Sequence, residues 1–306
     1  MTAGRAFHPA AGLAPGARVA VIAPASAFDR ASFENGLAII GARYDVRYQP
    51  AILERQRYLA GSDGRRLAEL SDALLDPAIE AVFCARGGYG STRLLRQLST
   101  LELTAPKPLV GFSDITALHF WLQSLGIMSI HGPVLTQLGQ LPAQTRQRLF
   151  GLLESTTPAA PLRGSEAYVP GVAEGPLLGG TLSVVTRLLG TPYLPSLEGA
   201  ILLLEDVGER PYRLDRMWMH LDLAGVLRQV RGIALGSFTN CEEKDADYSA
   251  ADVLRELAAA AGLPCVAGFP IGHGAINEPV PLGARVRLDA GARSLTFLEA
   301  AVTRGA

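Results

Sequence analysis

Apolar runs alternate with helix-like stretches along the first half of the chain. Residues 18–24 form a largely apolar run typical of a buried strand, and residues 29–40 carry apolar side chains at helical spacing. The alternation continues with strand-like segments at residues 44–48, 81–85 and 108–111 and helix-like segments at residues 63–75, 91–97 and 116–125. Short strands that alternate with helices predict a parallel sheet covered by helices on both faces.

A stretch rich in proline, glycine, serine and threonine interrupts this pattern at residues 152–176. We interpret it as a domain junction. The predicted fold class is α/β, with an N-terminal parallel-sheet domain over residues 1–160 and a smaller mixed α/β domain over residues 161–306. The second domain is predicted from strand-like and helix-like segments at residues 177–189, 200–207, 233–238, 253–261, 266–270, 284–288 and 294–298.

Composition and charge narrow the class of protein. The chain has 306 residues, of which 48% are hydrophobic and 19% charged, a balance typical of a folded globular protein. Its 28 basic and 29 acidic residues create no bulk positive field, so nucleic acid is not expected as a partner. No uncharged apolar run approaches the roughly 20 residues of a membrane span, and residues 1–21 lack the pattern of an export signal, so no membrane association is expected.

The cysteines and the glycine-rich segments argue against metals and cofactors. Cys84, Cys241 and Cys265 are odd in number, far apart and without a CxxC pair, which favours a reducing cytoplasm over a disulfide framework. The chain has neither HExxH nor a tight His/Asp cluster, so no metal is expected. Residues 85–91 form a glycine-rich bend that could cradle a phosphate, but it matches neither GxGxxG nor GxxxxGK[ST], and no cofactor is expected.

Ser113 is the candidate nucleophile. It lies in the stretch GFSD, directly after the strand-like segment 108–111 and before a helical pattern. In open α/β sheets, ligands bind at such carboxyl ends of strands. On this stretch alone, a helix cap by Ser113 or Asp114, worth about 1 kcal/mol, is the favoured explanation, because the GxSxG turn of hydrolases is absent.

A serine nucleophile needs a base, and His273 is the best candidate. It follows the apolar run 265–271 and lies between Gly272 and Gly274, which permit close backbone approach. The other histidines fit less well. His119 and His220 lie in helical patterns, and His8 lies in the N-terminal segment. His131 ends a strand-like run, where a structural role bordering the site is expected.

The base in turn needs an orienting group and the reaction needs an oxyanion site. Glu205 and Asp206 follow the apolar run 200–204, where a solvated strand end is the usual explanation for a charge. However, the serine, the histidine and this acidic pair all follow strand-like segments, and that recurrence favours a shared site. Gly88, in the glycine-rich bend, could expose its N–H to an oxyanion.

Five motifs occur in order between residues 18 and 288: ARGGYGSTRLL, GFSDITAL, GGTLSVV, LEDVGERPYRLDR and GFPIGHG. Together they resemble the LD-carboxypeptidase family of serine peptidases, which includes the microcin C self-immunity peptidases. The resemblance implies a flavodoxin-like or Rossmann-like N-terminal domain, a mixed C-terminal domain and a triad assembled between them. It also implies a homodimer.

The resemblance assigns roles residue by residue. Ser113 of GFSD matches the nucleophile, Glu205 of LEDV the triad glutamate and His273 of GHG the base, while the backbone N–H groups of Gly88 and Asp114 match the oxyanion hole. The implied activity is release of the terminal D-alanine from cytoplasmic murein tetrapeptides during peptidoglycan recycling. The implied partner is therefore a murein peptide.

The substrate ligands and the substrate itself leave alternatives open. Arginine binds carboxylates through paired donors, and Arg86 is the candidate, although salt bridges explain each arginine near the motifs better: Arg86, Arg187, Arg210 and Arg213. The rival substrate is an aminoacyl-nucleotide mimic, but residues 136–150 offer little besides Phe150 for stacking, which favours murein. A non-catalytic binder of peptides or nucleotides is the alternative from another class.

Overall fold

Two β-sheets organise the computed structural model, which describes residues 6–304. Within these residues the strands are, in chain order, β1 (Ala10–Ala11), β2 (Arg18–Ile22), β3 (Asp45–Arg47), β4 (Ala81–Cys84), β5 (Leu109–Gly111), β6 (Ser129–His131), β7 (Leu162–Arg163), β8 (Glu166–Val169), β9 (Val172–Thr181), β10 (Ile201–Val207), β11 (Gly232–Thr239), β12 (Cys265–Ala267), β13 (Val280–Leu282), β14 (Arg285–Asp289), β15 (Ser294–Phe297) and β16 (Val302–Thr303). The α-helices are α1 (Arg30–Gly41), α2 (Asp63–Leu75), α3 (Leu95–Leu98), α4 (Thr116–Ser124), α5 (Ala143–Glu154), α6 (Leu182–Leu188), α7 (Pro211–Leu223) and α8 (Ala250–Ala261). Short 3₁₀ helices span Pro50–Leu53, Ser91–Leu94, Ser113–Ile115 and Leu135–Gln140.

The N-terminal sheet has the strand order β13-β6-β5-β4-β2-β3. All neighbouring pairs are parallel except β13 with β6. Alternate residues of β2 enter different apolar clusters, Val19 and Val21 packing with α1 and Ala20 and Ile22 packing with α2. Both faces of the sheet are therefore covered by helices.

The C-terminal sheet has the order β7-β15-β14-β9-β10-β11-β12-β8. Its centre, β9 to β12, is parallel, and antiparallel strands extend it on both sides. The predicted α/β fold class, with a parallel N-terminal sheet and a mixed C-terminal part, is confirmed. No helix within residues 6–304 is long and apolar enough to cross a membrane.

The structure departs from the predicted organisation at two places. Residues 152–176, interpreted as a loose junction, contain the end of α5, the strands β7 and β8 and the start of β9. In addition, β13, from residues 280–282, joins the N-terminal sheet beside β6. The division at residues 160 and 161 stays a prediction.

The two sheets meet through α4 and the β9–α6 corner. One apolar cluster contains Leu118 and Trp121 of α4 together with Leu182 of α6 and Trp218 of α7. At the same contact, the backbone N–H of Thr181 donates to the Thr116 hydroxyl at 3.1 Å. This packing brings the carboxyl end of β5 towards the carboxyl ends of β9 and β10.

Candidate active site

Ser113 lies at a sharp turn between β5 and α4. Its φ is +65°, a conformation that is rare for residues other than glycine and that costs free energy. The bend carrying Gly87 packs directly against it, since a Cβ on Gly87 would lie 2.8 Å from the Ser113 Cβ. The interpretation of Ser113 or Asp114 as a helix cap is wrong, because no side-chain hydrogen bond caps this turn or α4. Asp114 instead accepts a hydrogen bond from the Ser91 N–H at 2.7 Å.

The structure brings the predicted serine, histidine and glutamate into one hydrogen-bonded chain. His273 Nε2 lies 3.1 Å from Ser113 Oγ, and His273 Nδ1 lies 2.6 Å from Glu205 Oε2. An ionised carboxylate only accepts hydrogen bonds, so Nδ1 carries the proton and Nε2 is left to accept from the serine hydroxyl. This is the tautomer that a general base requires.

Glu205 is completely buried at the end of β10. Its Oε2 also accepts the backbone N–H of His273 at 3.1 Å, and its Oε1 accepts from the Thr181 hydroxyl. Burial alone raises the pKa of Glu205, but the hydrogen bond and charge of His273, helped by His131 and Thr181, outweigh it and hold the pKa below its ordinary value. Glu205 is therefore ionised at neutral pH.

The same contact between Glu205 and His273 shifts the pKa of His273 upward. Burial lowers the pKa of its imidazole, but the hydrogen bond and negative charge of Glu205 raise the pKa by more, and the net direction is upward. Asp206, the next residue, has its own pKa raised to about 6, chiefly by burial. Asp206 points away to the start of α6, where it accepts from the Ser183 N–H at 2.7 Å.

Two polar side chains that the sequence did not reveal fix the loop of His273. Asn277 Oδ1 accepts from the Gly272 N–H at 2.9 Å, and Ser237 Oγ accepts from the Gly274 N–H at 2.9 Å. Ser237 lies near the carboxyl end of β11, inside the segment predicted as a strand, and Asn277 lies in the loop of His273 itself. The contribution of Ser237 is visible only once β11 and the loop after β12 are adjacent in space.

The bend that carries Gly88 lies beside the serine. Gly88 has a φ of +98°, and a Cβ at this position would lie 2.5 Å from Ser26 Oγ, so only glycine fits. Ser26 Oγ accepts from the Tyr89 N–H at 3.0 Å and ties the bend to the end of β2. Within residues 6–304, the Gly88 N–H makes no hydrogen bond, so it is available to donate one to an oxyanion.

The four candidate arginines lie in different surroundings. Arg86, in the glycine-rich bend, is exposed and donates from Nη1 to the Ala27 carbonyl. The other three lie on or beside α6 and α7, and each has a partner there: Arg187 with the Ser183 carbonyl, Arg210 with Glu243 and Arg213 with Glu209. Only Arg86 thus adjoins the bend beside Ser113.

Residues 6–304 contain no group of three or more histidine, cysteine or acidic side chains placed to hold a metal ion. The cysteines Cys84, Cys241 and Cys265 are free and buried. Burial raises the pKa of each thiol, to about 11 for Cys241 and about 12 for Cys265. They are therefore neutral, and none of them belongs to the site.

Comparisons with known proteins point to one family. Family models described as the LD-carboxypeptidase N-terminal domain and C-terminal domain match residues 19–132 and 174–288. The murein tetrapeptide carboxypeptidase of Pseudomonas aeruginosa is 39% identical over 293 residues, which cover 89% of this chain and 93% of that protein.

Solved structures share the fold. The crystal structure of muramoyltetrapeptide carboxypeptidase from Oxalobacter formigenes has a TM-score of 0.82 at 29% identity, covering 92% of this chain and 97% of that one. The microcin C7 self-immunity protein MccF, in complex with aspartyl sulfamoyl adenosine, has a TM-score of 0.87 at 21% identity, covering 97% and 100%. At that identity the second likeness shows the fold alone.

Proposed function

Because this chain belongs to the LD-carboxypeptidase family, a family of peptidases, we propose that it is a serine carboxypeptidase that releases the terminal D-alanine from murein tetrapeptide. The observation that carries the proposal is the continuous chain of contacts from Ser113 Oγ through His273 to Glu205. The name of the P. aeruginosa relative supports the choice of substrate.

The proposed mechanism follows from the geometry. Ser113 Oγ attacks the carbonyl carbon of the amide before the D-alanine, while His273 Nε2 takes the hydroxyl proton. Glu205, held ionised by its donors, stabilises the imidazolium that forms. The backbone N–H groups of Gly88 and Asp114 hold the oxyanion, a contribution worth about 3 kcal/mol for each donor in well-studied enzymes.

Breakdown of the intermediate uses the same groups. His273 gives its proton to the amine of D-alanine, which leaves as the amide C–N bond breaks. A water molecule then attacks the acyl-enzyme with His273 again as base, and His273 returns this proton to Ser113 Oγ as the ester bond breaks and the tripeptide leaves. Arg86 is the proposed ligand for the substrate's free carboxylate, because a carboxypeptidase must recognise that charge and Arg86 adjoins the bend of Gly88. No metal or cofactor takes part in this scheme.

The proposal includes the domain arrangement, the cellular location and the oligomeric state. We place the triad between an N-terminal domain of residues 1–160 and a C-terminal domain of residues 161–306. The free, buried cysteines support a reducing compartment, and the proposed location is the cytoplasm, where the enzyme would serve peptidoglycan recycling. A homodimer is proposed on the family resemblance alone.

The test is incubation of the purified protein with murein tetrapeptide and detection of tripeptide and free D-alanine by mass spectrometry, with a chelator present. We expect the wild-type chain to release D-alanine and Ser113→Ala to lose at least about 10³-fold in kcat while keeping the wild-type circular dichroism spectrum. Ser124→Ala, which removes a serine hydroxyl from the far end of α4, is the matched control. Turnover by Ser113→Ala at the wild-type rate would refute the assigned nucleophile.

A second substrate in the same assay distinguishes the two activities of this fold. Aspartyl sulfamoyl adenosine, the compound bound to MccF, is offered at the same concentration as the tetrapeptide. We expect a kcat/KM for the tetrapeptide at least tenfold higher. The reverse preference, abolished by Ser113→Ala, would keep the triad and overturn the proposed substrate.

A further inference from the structure

His131 is a buried imidazole that the proposed mechanism does not use. It ends β6, between Gly111 of β5, which leads into the Ser113 turn, and Val280 of β13, which follows the His273 loop. The side chain has no exposed surface, and its ring meets the Phe112 ring edge-on at 5.7 Å between centroids. Phe112 in turn lies 4.7 Å from the His273 ring.

Both ring nitrogens of His131 lack a hydrogen-bond partner among residues 6–304. Buried polar groups are almost always paired, because an unpaired one costs about 1–3 kcal/mol. The polar atom that His131 faces is Glu205 Oε1, at 4.0 Å from His131 Nε2. The next imidazole, His119, is 6.4 Å away ring to ring and is already bonded to the Gly111 carbonyl at 2.8 Å.

We infer that His131 is a positioning residue for the triad, its neutral ring directing the Nε2–H at Glu205 Oε1 while His273 contacts Oε2. This inference rests on the proposed triad. Glu205 is then held from both ends, with His273 on Oε2 and with Thr181 and His131 on Oε1. These contacts restrain the carboxylate from rotating its Oε2 away from the His273 ring.

The charge states fit this arrangement. Burial, opposed only in part by Glu205, lowers the pKa of His131 to about 4, so the ring is neutral at neutral pH and has one N–H to donate. Burial also lowers the pKa of His119, to about 3, and that ring is neutral as well. A neutral donor stabilises the Glu205 anion without adding a second positive charge beside the imidazolium of His273.

The effect of removing the donor has a definite sign. The ionisable groups beside Glu205 and His131 are His273 from the loop after β12 and His119 from α4, and the charge of Asp206, which points towards α6, acts on His273 from a greater distance. Without the His131 N–H, the Glu205 anion has one donor fewer, and it stabilises the protonated form of His273 more strongly. The pKa of His273 therefore rises, and the acid limb of kcat/KM moves to higher pH.

The test measures the His273 titration directly, so that it does not depend on the substrate. Imidazole ¹H–¹⁵N spectra are recorded across pH for the wild type, His131→Phe and His131→Gln, with signals assigned from single histidine variants. We expect His131→Phe to raise the His273 midpoint by roughly half a pH unit or more. His131→Gln, which keeps an N–H donor near the same place but cannot titrate, should keep the midpoint within about 0.2 unit of wild type.

The matched control is His119→Phe, the same replacement in the neighbouring buried imidazole, and it should leave the His273 midpoint in place. On the tetrapeptide, His131→Phe should lower kcat on the order of ten- to a hundredfold with KM within about twofold. If Phe is not accommodated, as judged by circular dichroism, His131→Leu replaces it with the same expectation.

Two results would overturn the inference: an unchanged His273 midpoint in the variants without a donor, or an equal rise in His131→Gln. Failure of the wild-type chain to release D-alanine is a separate result. It would reject the proposed substrate, and the spectra would still decide whether His131 acts on the Glu205 and His273 pair.

Discussion

At the scale of single residues, two backbone conformations hold the site together. The φ of +65° at Ser113 directs the hydroxyl out of the turn, and the φ of +106° at Gly272 allows the chain to pass directly over Glu205. A Cβ on Gly272 would lie 2.2 Å from Glu205 Oε2, well inside contact distance. The glycine before the triad histidine is therefore required by space as well as by conformation.

Gly272→Ala should inactivate the enzyme by displacing Glu205. The added methyl must push the carboxylate off the His273 ring, and a misplacement of about 1 Å in such a site costs on the order of 10²-fold in kcat. The matched control is Gly208→Ala, which shares the positive φ, at +72°, but would place its Cβ with nothing within 4 Å. Both variants place an alanine at positive φ, but only Gly272→Ala also brings a methyl group against Glu205. Steady-state kinetics on the two variants should therefore separate these effects. Equal losses of kcat would show that the contact with Glu205 is not the cause.

The pH profile reports the coupling between Glu205 and His273. His273 must be neutral to accept the serine proton, so kcat/KM falls as the pH drops through its pKa. Burial lowers that pKa but Glu205 raises it by more, and we expect the acid-limb midpoint of the wild type to lie above the ordinary 6.5.

Glu205→Gln removes the charge and leaves the burial. Its acid limb should therefore lie below that of the wild type, together with a large loss in kcat, measured as kcat/KM between pH 5 and 9. A limb that stays in place or moves upward in Glu205→Gln would show that Glu205 does not set the pKa of His273.

At the scale of elements, the sequence predicts those helices and strands whose apolar side chains recur at regular local spacing. The helix expected at residues 63–75 is α2 without change, because its apolar side chains recur at helical spacing and Ser62 caps it. By contrast, β13 has three residues with Pro281 in its middle, a pattern that argues against a strand. It forms at the edge of the N-terminal sheet because β6, over a hundred residues away in sequence, supplies the pairing partner.

The same distinction applies to the site. Strand ends identified Ser113, His273 and Glu205 as candidates, since a polar side chain that follows a buried strand is a local signal. Ser237 and the relation of His131 to Glu205 gave no such signal, because they depend on which segments become neighbours after folding. Asn277 contacts Gly272 within one loop, but it does not follow a buried strand.

At the scale of the whole molecule, the two sheets share one of the apolar clusters. The cluster that contains Trp121 of α4 and Trp218 of α7 draws its buried residues from both halves of the chain. β13 and the pairing of β1 with β16 add further links between distant segments. The proposed triad depends on this packing, because its serine follows a strand of one sheet and its glutamate lies in a strand of the other.

A shared core predicts that both halves unfold together. We expect one calorimetric transition that coincides with the loss of tryptophan fluorescence, since both tryptophans lie in the shared cluster, and with the loss of far-ultraviolet circular dichroism. Leu182→Ala, at a fully buried position of α6 against α4, should lower the free energy of unfolding by about 2–5 kcal/mol while the transition stays single. Leu223→Ala is the control, because this leucine is 78% exposed and its loss should change stability by less than about 0.5 kcal/mol. Two separable transitions, with only one of them shifted by Leu182→Ala, would mean that the halves are independent and that the triad forms by docking of two folded units.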